Sequence, residues 1–358
     1  MKKISVLFWI FSLLLPLSVP AEAPQLLRVA GWGGYADPDR ADKTIGYQSF
    51  EKRFNVTIAF TPLNNLDDIV SVAESELHYD VYIVSNEGIR LLYDMGLVSP
   101  INLDLLPHYQ DLHHNLKYSE WAQFDSKLYA IPWAWGPTGL IYDEEAVVNP
   151  NSWNLLWDPQ YRDKVALWDD PSMIWTTALS LGYKNVYNLT QWQLFNVKNR
   201  LLALNNQRVI YYQGDGDELE LAMQGKIVAF NSRYNPSARL KAAGKNFAMA
   251  IPKEGAVGMF DSYLISKRQD HPEHIDFSHQ YINHQISPEI QQEMVRLTGL
   301  APANIETLSL LTREEIHSLH LDDPNYFNRM LLWNQMPRKN LYEQLLEEVR
   351  ESRKVSQK

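Results

Sequence analysis

The sequence contains no cysteine in its 358 residues. This absence excludes disulfide bonds, thiolate metal sites, a cysteine nucleophile and a lipid-modified cysteine. Long apolar runs are also missing after residue 23, where no stretch is apolar enough to span a bilayer. We therefore expect no membrane insertion of the processed protein.

The N-terminal segment has the pattern of a secretory signal peptide. It combines a positive start at Lys2, a short apolar stretch over residues 4–17 and a small-residue motif ending at Ala23. The stretch is too short for a stable membrane anchor. We predict a signal peptide over residues 1–23, cleavage after Ala23 and a periplasmic protein.

Recognisable catalytic motifs are absent. There is no G-x-S-x-G, no H-E-x-x-H and no P-loop. His271 and His274 are separated by Pro-Glu, and His317 and His320 lie in a charged segment, so both pairs indicate surface histidines rather than metal ligands. We expect no enzymatic activity, no metal site and no cofactor.

The charge balance is acidic, with a net charge of −10 at pH 7. Such a surface disfavours nucleic acid and anionic lipid and suits a cationic partner, although it also serves solubility. The 11 Trp and 19 Tyr residues are typical of an aromatic binding cleft.

Strand and helix patterns alternate along the chain, which favours an α/β fold with parallel strands. The pattern restarts after residue 136, and a strand at 261–265 is predicted to return to the first set. We predict two α/β lobes with a ligand cleft at the strand ends. The predicted boundaries are 24–136 and 258–308 for lobe 1, and 137–257 and 309–358 for lobe 2.

Two local patterns leave alternatives open. Gly31-Trp-Gly-Gly-Tyr35 follows a strand and resembles a dinucleotide fingerprint, but the acidic residues 37–42 after it would repel a pyrophosphate. A plain turn and an aromatic ligand wall remain as interpretations of residues 31–35.

The adjacent Tyr211 and Tyr212 suit ferric iron in some two-lobed binding proteins, so iron or another small solute stays an alternative ligand.

Several stretches together resemble the periplasmic spermidine/putrescine-binding proteins, over nearly the whole processed length. These stretches are Gly31-Trp-Gly-Gly-Tyr35, Tyr79-Asp-Val-Tyr-Ile-Val-Ser85, Ile131-Pro-Trp-Ala-Trp-Gly136, Ser152-Trp-Asn-Leu-Leu-Trp157, Trp168-Asp-Asp170, Pro252-Lys-Glu-Gly255 and Asp261-Ser262. The resemblance implies a two-lobed periplasmic binding protein that closes on a polyamine. It includes transport components and polyamine sensors, norspermidine-responsive ones among them.

The resemblance also implies ligand-binding residues. Trp32 and Tyr35 fall on an aromatic wall, Ser85 on a donor to a terminal amine, and Asp170 and Asp261 on carboxylates that meet a middle and a terminal amine. Tyr234 falls where the family commonly has Trp. The predicted site is Trp32, Tyr35, Ser85, Glu87, Asp170, Tyr234 and Asp261.

The sequence departs from the spermidine-binding pattern. Met173, Met259 and Leu300 stand where the family has Glu, Trp and Tyr, whereas Glu87 adds a carboxylate in place of a Tyr. These differences leave room for norspermidine or a diamine, although three carboxylates favour a triamine over a diamine. Arg233 suits a cationic ligand only if it points away or pairs with an acid.

The expected partners are a small polyamine and an inner-membrane protein, either an ABC permease or a membrane sensor receptor. No feature of the sequence separates transport from sensing, because both require a clamp whose closure is recognised. We expect a monomer.

Overall fold

The computed structural model describes residues 25–35, 45–117, 119–213, 216–233, 235–269, 274–332 and 336–356. The predicted signal peptide and Tyr234 lie outside these residues. The strands are β1 (Gln25–Trp32), β2 (Val56–Leu63), β3 (Val81–Ser85), β4 (Val98–Ser99), β5 (Gln123–Phe124), β6 (Lys127–Leu128), β7 (Ile131–Pro137), β8 (Gly139–Asp143), β9 (Val165–Trp168), β10 (Ile210–Tyr212), β11 (Ala229–Ser232), β12 (Phe247–Ala250), β13 (Ala256–Ser266), β14 (Ala301–Pro302) and β15 (Met330–Leu332).

The helices alternate with these strands along much of the chain, as the sequence pattern predicts. They are α1 (Tyr47–Phe54), α2 (Leu66–Glu74), α3 (Asn86–Asp94), α4 (His114–Lys117), α5 (Ser172–Ser180), α6 (Gln191–Gln207), α7 (Asp217–Met223), α8 (Ser237–Ala242), α9 (His274–Gln285), α10 (Pro288–Thr298), α11 (Arg313–Ser318) and α12 (Lys339–Ser356).

The strands form two larger sheets, one for each lobe. The first has the order β14-β7-β13-β3-β1-β2 with β4 and β15 paired to β13, and the second has the order β10-β9-β11-β8-β12. β1 runs parallel to β2 and β3, but β13 runs antiparallel to β3 and β7. The predicted parallel strands are present, but both sheets are mixed. β13 enters the first sheet on its return from the second and runs in the opposite direction, and β8 runs antiparallel to β11 and β12 in the second.

Each sheet is buried on both faces. In β3, Val81 and Ile83 join one hydrophobic cluster while Tyr82 and Val84 join another. β9 divides in the same way between two clusters. This is the reason these strands are continuous apolar runs: alternate residues face opposite helical layers.

The C-terminal segment is shared between the two lobes. Leu311, Leu319 and Tyr326 pack in the cluster of the first sheet, whereas Leu345 and Val349 of α12 pack in that of the second. We therefore propose that, of the predicted lobe 2 segment 309–358, α12 belongs to lobe 2, while the residues up to Tyr326 belong to lobe 1.

Gly31 is explained by close packing within the first sheet. It pairs with Ile83 across β1 and β3, and a Cβ atom at position 31 would lie 2.8 Å from the Ile83 Cβ. Glycine allows β1 to approach β3 here, so the strand end is determined by packing rather than by a phosphate-binding turn.

Candidate functional site

Four predicted site residues come together at one edge of the first sheet. The parallel strands β1 and β3 end at Trp32 and Ser85, and β13 places Asp261 directly opposite Ser85. Tyr35 follows β1 in a short 3₁₀ helix. Parallel strands that end together open a cleft at their carboxyl ends, which is where α/β proteins hold ligands.

Asp261 is the centre of this group. Asp261 is 2% exposed, and its carboxylate accepts a hydrogen bond from Trp32 Nε1 at 3.0 Å. The Tyr35 hydroxyl donates to the other carboxylate oxygen, and the Tyr35 ring lies edge-on to Trp133 with ring centroids 4.5 Å apart. Both aromatic residues thus orient a buried carboxylate through their polar atoms, in addition to any contact of their rings with a ligand.

The environment of Asp261 opposes its charge. Burial raises the pKa of Asp261 to about 6, against the hydrogen bonds from Tyr35 and Trp32 and the positive charge of Arg233. A buried carboxylate that stays ionised at neutral pH is prepared for a cation, since a cation removes the cost of its desolvation.

A second acid lies at the start of α3. Ser85 is buried just before this helix and makes no side-chain cap hydrogen bond to it. Glu87 is in the first turn, where the helix dipole favours a carboxylate. Burial raises the pKa of Glu87, and the positive charges of Arg233 and Lys339 oppose this shift.

The second lobe contributes Asp170 and Arg233. Asp170 Oδ1 accepts from the backbone N of Ser172 at 2.8 Å and from its hydroxyl, while Oδ2 forms an ion pair with Arg233 Nη2. The Arg233 guanidinium lies over the Trp168 ring, 4.8 Å from its centroid. Arg233 therefore pairs with an acid, which is the condition that the sequence analysis set for a cationic ligand.

The carboxylates of Asp170 and Asp261 differ in their hydrogen-bond and ion-pair partners. Asp261 accepts only from uncharged donors, Trp32 and Tyr35, among the hydrogen bonds described for it. Both oxygens of Asp170 are engaged, one of them by a full positive charge. The predicted role of Asp170 toward a middle amine stays a prediction.

Sequence reasoning missed Lys339 and Tyr187. The positive charge of Lys339 opposes the upward pKa shift of Glu87, and burial together with the charge of Glu87 in turn raises the pKa of Tyr187. No local pattern marks them, because they are distant from Glu87 along the chain.

Trp133 and Trp135 are buried, and their indole N–H groups donate to the carbonyls of Gln285 and Pro302 at 3.1 and 2.8 Å.

The two adjacent tyrosines are already in contact with other groups of the protein. The Tyr212 hydroxyl donates to the Asn231 carbonyl, and the Arg353 guanidinium covers the Tyr211 ring at 3.8 Å from its centroid. Burial raises the pKa of Tyr211 to about 12, which disfavours the tyrosinate that ferric iron requires. Among the described residues no cluster of three or more His, Asp or Glu side chains is placed to hold a metal ion.

A pocket of about 580 Å³ lies elsewhere, between α1 and α9. Its lining includes Arg53, His108 and His284 and none of the predicted site residues.

Within the described part of the chain, no helix is long and apolar enough to cross a membrane.

Comparison with known proteins agrees with this geometry. Residues 47–310 match the family model of bacterial extracellular solute-binding proteins. The putrescine-binding periplasmic protein SpuD of Pseudomonas aeruginosa is 24% identical over 80% of this chain and 81% of its own length. The spermidine/putrescine-binding periplasmic protein of Escherichia coli K12 is 24% identical over 66% of both chains. The resemblance inferred from the sequence is confirmed.

Solved structures confirm the two-lobed α/β fold. The spermidine/putrescine ABC transporter substrate-binding protein PotD of Streptococcus pneumoniae superposes with a TM-score of 0.77 at 19% identity, over 92% of this chain and 99% of that chain. AgtB of A. tumefaciens R10, solved with agropinic acid, gives a TM-score of 0.65 at 17% identity over 93% and 98%. Since the same fold holds different solutes, it does not by itself decide the ligand. The extent of the family match shows that this chain belongs to the bacterial extracellular solute-binding proteins, which bind their ligands without catalysing a reaction.

Proposed function

We propose that the protein binds a polyamine in the cleft between its lobes. The observation that carries this proposal is the buried carboxylate of Asp261, held by Trp32 and Tyr35 where β1, β3 and β13 converge. An ammonium group pairs with such a carboxylate by a charge-assisted hydrogen bond, and aromatic faces cover the methylenes that join the ammonium groups. Glu87 adds a second negative charge at the same edge.

Named relatives support the same ligand class, because the proteins matched include binders of putrescine and of spermidine/putrescine. Ser85 and Tyr234 remain proposed contacts of the ligand. Putrescine, spermidine and norspermidine are the candidates, since the departures at Met173 and Glu87 alter the acids along the cleft.

The proposed role is that of a periplasmic monomer that presents its ligand to an inner-membrane partner. This partner is an ABC permease or a membrane sensor receptor. Both recognise closure of the lobes over the ligand, which a polyamine favours by contacting both lobes at once.

Isothermal titration calorimetry tests the binding proposal. We expect one polyamine bound per chain and recovery of the ligand chemically unchanged. The control is γ-aminobutyrate, which carries one ammonium and a carboxylate and should give no heat at an acidic site. A tyrosinate charge-transfer band on adding ferric ion, together with no heat from any polyamine, would overturn the proposal in favour of iron.

Affinity should depend on pH through Asp261. Its pKa of about 6 means that polyamine binding weakens as the pH falls through this value, because the protonated carboxyl no longer pairs with an ammonium. The ligand-free protein responds in the opposite direction. A pKa above the ordinary 3.8 means that the folded state binds this proton first, so the contribution of Asp261 to stability rises as the pH falls from about 6 to about 4.

The measurement is calorimetry across this range beside the ligand-free melting temperature, with Asp261→Asn as the reference that lacks the titrating group. Equal pH dependence of binding in the two proteins would contradict the assignment.

A further inference from the structure

Arg233 has an unusual position for a protein that binds a cation. It directly follows β11, where Asn231 and Ser232 are fully buried, and its own side chain is 31% exposed. The guanidinium is held from two sides, by the Asp170 carboxylate and by the face of the Trp168 ring. These contacts fix a positive charge inside the predicted ligand site.

The acids of the first lobe also act on this charge. The negative charges of Glu87 and Asp261 stabilise the protonated guanidinium across the cleft, against burial, which lowers its pKa. Asp170 is in turn held by Ser172 and does not depend on a ligand for partners. One internal guanidinium thus stands among three carboxylates, and these four side chains together carry a formal charge of minus two.

We propose that Arg233 is a specificity-determining residue that takes the place of one ligand ammonium at Asp170. This inference rests on the proposed polyamine function and adds a charge rule to it: the preferred ligand has as many ammonium groups as there are cleft acids left over by Arg233. With Arg233 in place, a diamine neutralises the two remaining acids, Glu87 and Asp261. A triamine brings a third charge against the guanidinium, so the preference for a triamine that follows from counting three carboxylates is reversed.

The test compares the ratio of two dissociation constants, for putrescine and for spermidine, in each of several variants. We expect the wild-type protein to bind putrescine at least as tightly as spermidine. In Arg233→Gln, which frees Asp170, the preference should move toward spermidine by about tenfold or more, the effect of one added charge pair. Arg233→Lys keeps the charge and should leave the ratio near that of the wild type.

Arg200→Gln is the matched control, because Arg200 is also a second-lobe arginine over an indole, 4.4 Å from the Trp157 centroid. Its side chain hydrogen-bonds Ser180 and Asn154 rather than a cleft acid. The ratio should stay within about twofold of wild type there. Arg233→Met retains the apolar stem over Trp168 and gives a second neutral replacement if the Gln variant unfolds.

The outcomes separate this inference from the function on which it rests. If polyamines bind and the ratio is the same in wild type, Arg233→Gln and Arg233→Met, the charge rule is wrong and the proposed function stands. A wild-type preference for spermidine above tenfold would likewise overturn it, since Arg233 would then have to leave the site on binding. If γ-aminobutyrate binds and neither polyamine does, both proposals fall and Arg233 is a carboxylate receptor.

Discussion

Replacing Asp261 with asparagine is expected to weaken polyamine binding by about thirty-fold to several thousand-fold while the ligand-free protein stays folded. The carboxylate is almost fully buried, so a ligand ammonium beside it is cut off from water when the lobes close. Removing one member of such a buried charge pair costs about 2–5 kcal/mol, because the other charge is left without a partner.

The structure explains why this substitution should spare the fold. The asparagine oxygen can accept from Trp32 Nε1, which only donates, and its NH₂ group can donate to the Tyr35 hydroxyl, which also accepts. The ionised carboxylate of Asp261 itself lowers the stability of the folded, ligand-free protein. Holding a group of ordinary pKa 3.8 at about 6 corresponds to about 3 kcal/mol against the ionised folded state. We expect the melting temperature of ligand-free Asp261→Asn at pH 7 to equal or exceed that of the wild type.

Asp80→Asn is the matched control on the same pair of strands. Asp80 is also 2% exposed, but it precedes β3 and lies at the end of the sheet opposite to Asp261. Its carboxylate accepts from the Arg28 backbone N at 2.7 Å and pairs with His274 Nδ1 at 2.9 Å. This control should leave affinity unchanged, because Asp80 lies away from the cleft. Affinity within threefold of wild type in Asp261→Asn, or early unfolding of that variant without ligand, would show that Asp261 is a structural residue.

Asp169→Asn is expected to lower the free energy of unfolding by about 3 kcal/mol, the usual cost of leaving a buried charge unpaired. Asp169 follows β9, and its carboxylate oxygens accept from Arg353 Nη2 at 2.9 and 3.0 Å and from Arg350 Nε at 3.1 Å. The Arg353 side chain is 9% exposed and lies over the Tyr211 ring. These contacts attach α12 to the second lobe, so their loss should loosen the C-terminal helix.

The contribution of Asp169 to the stability of the protein decreases at low pH. Burial would raise the pKa of Asp169, but the hydrogen bonds and charges of Arg353 and Arg350 hold it below its ordinary 3.8. Its contribution is therefore fully present above about pH 4 and is lost as the pH falls through the lowered pKa. Urea unfolding at neutral pH measures the difference directly.

Asp163→Asn provides the comparison for Asp169. Its pair with Arg208 is long, at 3.6 Å, and both side chains are at least half exposed, at 50% and 66%. Position 163 also has a positive φ of 62°, which asparagine tolerates. Its removal should change stability by less than about 0.5 kcal/mol. Equal stability of Asp169→Asn and Asp163→Asn would show that α12 is held by its apolar contacts alone.

Local sequence predicted the parts of the site that depend on strand ends. The apolar runs at 26–30, 79–84 and 261–265 overlap β1, β3 and β13. β1 ends at Trp32 and β3 at Ser85, whereas Asp261 lies within β13, beside a register irregularity. Hydrophobic periodicity and residue composition are properties of residues that are neighbours along the chain, so they indicate a strand even when its partner strand is unknown. The polyamine resemblance then selected these ends from the many others in the chain, and the signal peptide and Tyr234 stay predictions.

Tertiary structure alone decided which side chains meet. The hydrogen bond from Trp32 to Asp261 joins residues 229 positions apart, and the ion pair of Arg233 with Asp170 joins residues 63 positions apart that follow two strands of the second sheet. The same is true of α12, whose arginines reach Asp169, and of the segment after 309, which divides between the lobes. Such pairings follow from the order and direction of strands within a sheet, which is determined by burial of whole layers and not by the residues beside each position. Sequence thus determined the class of protein and the chemistry of its acids, while only the folded chain showed that one of those acids already holds a cation.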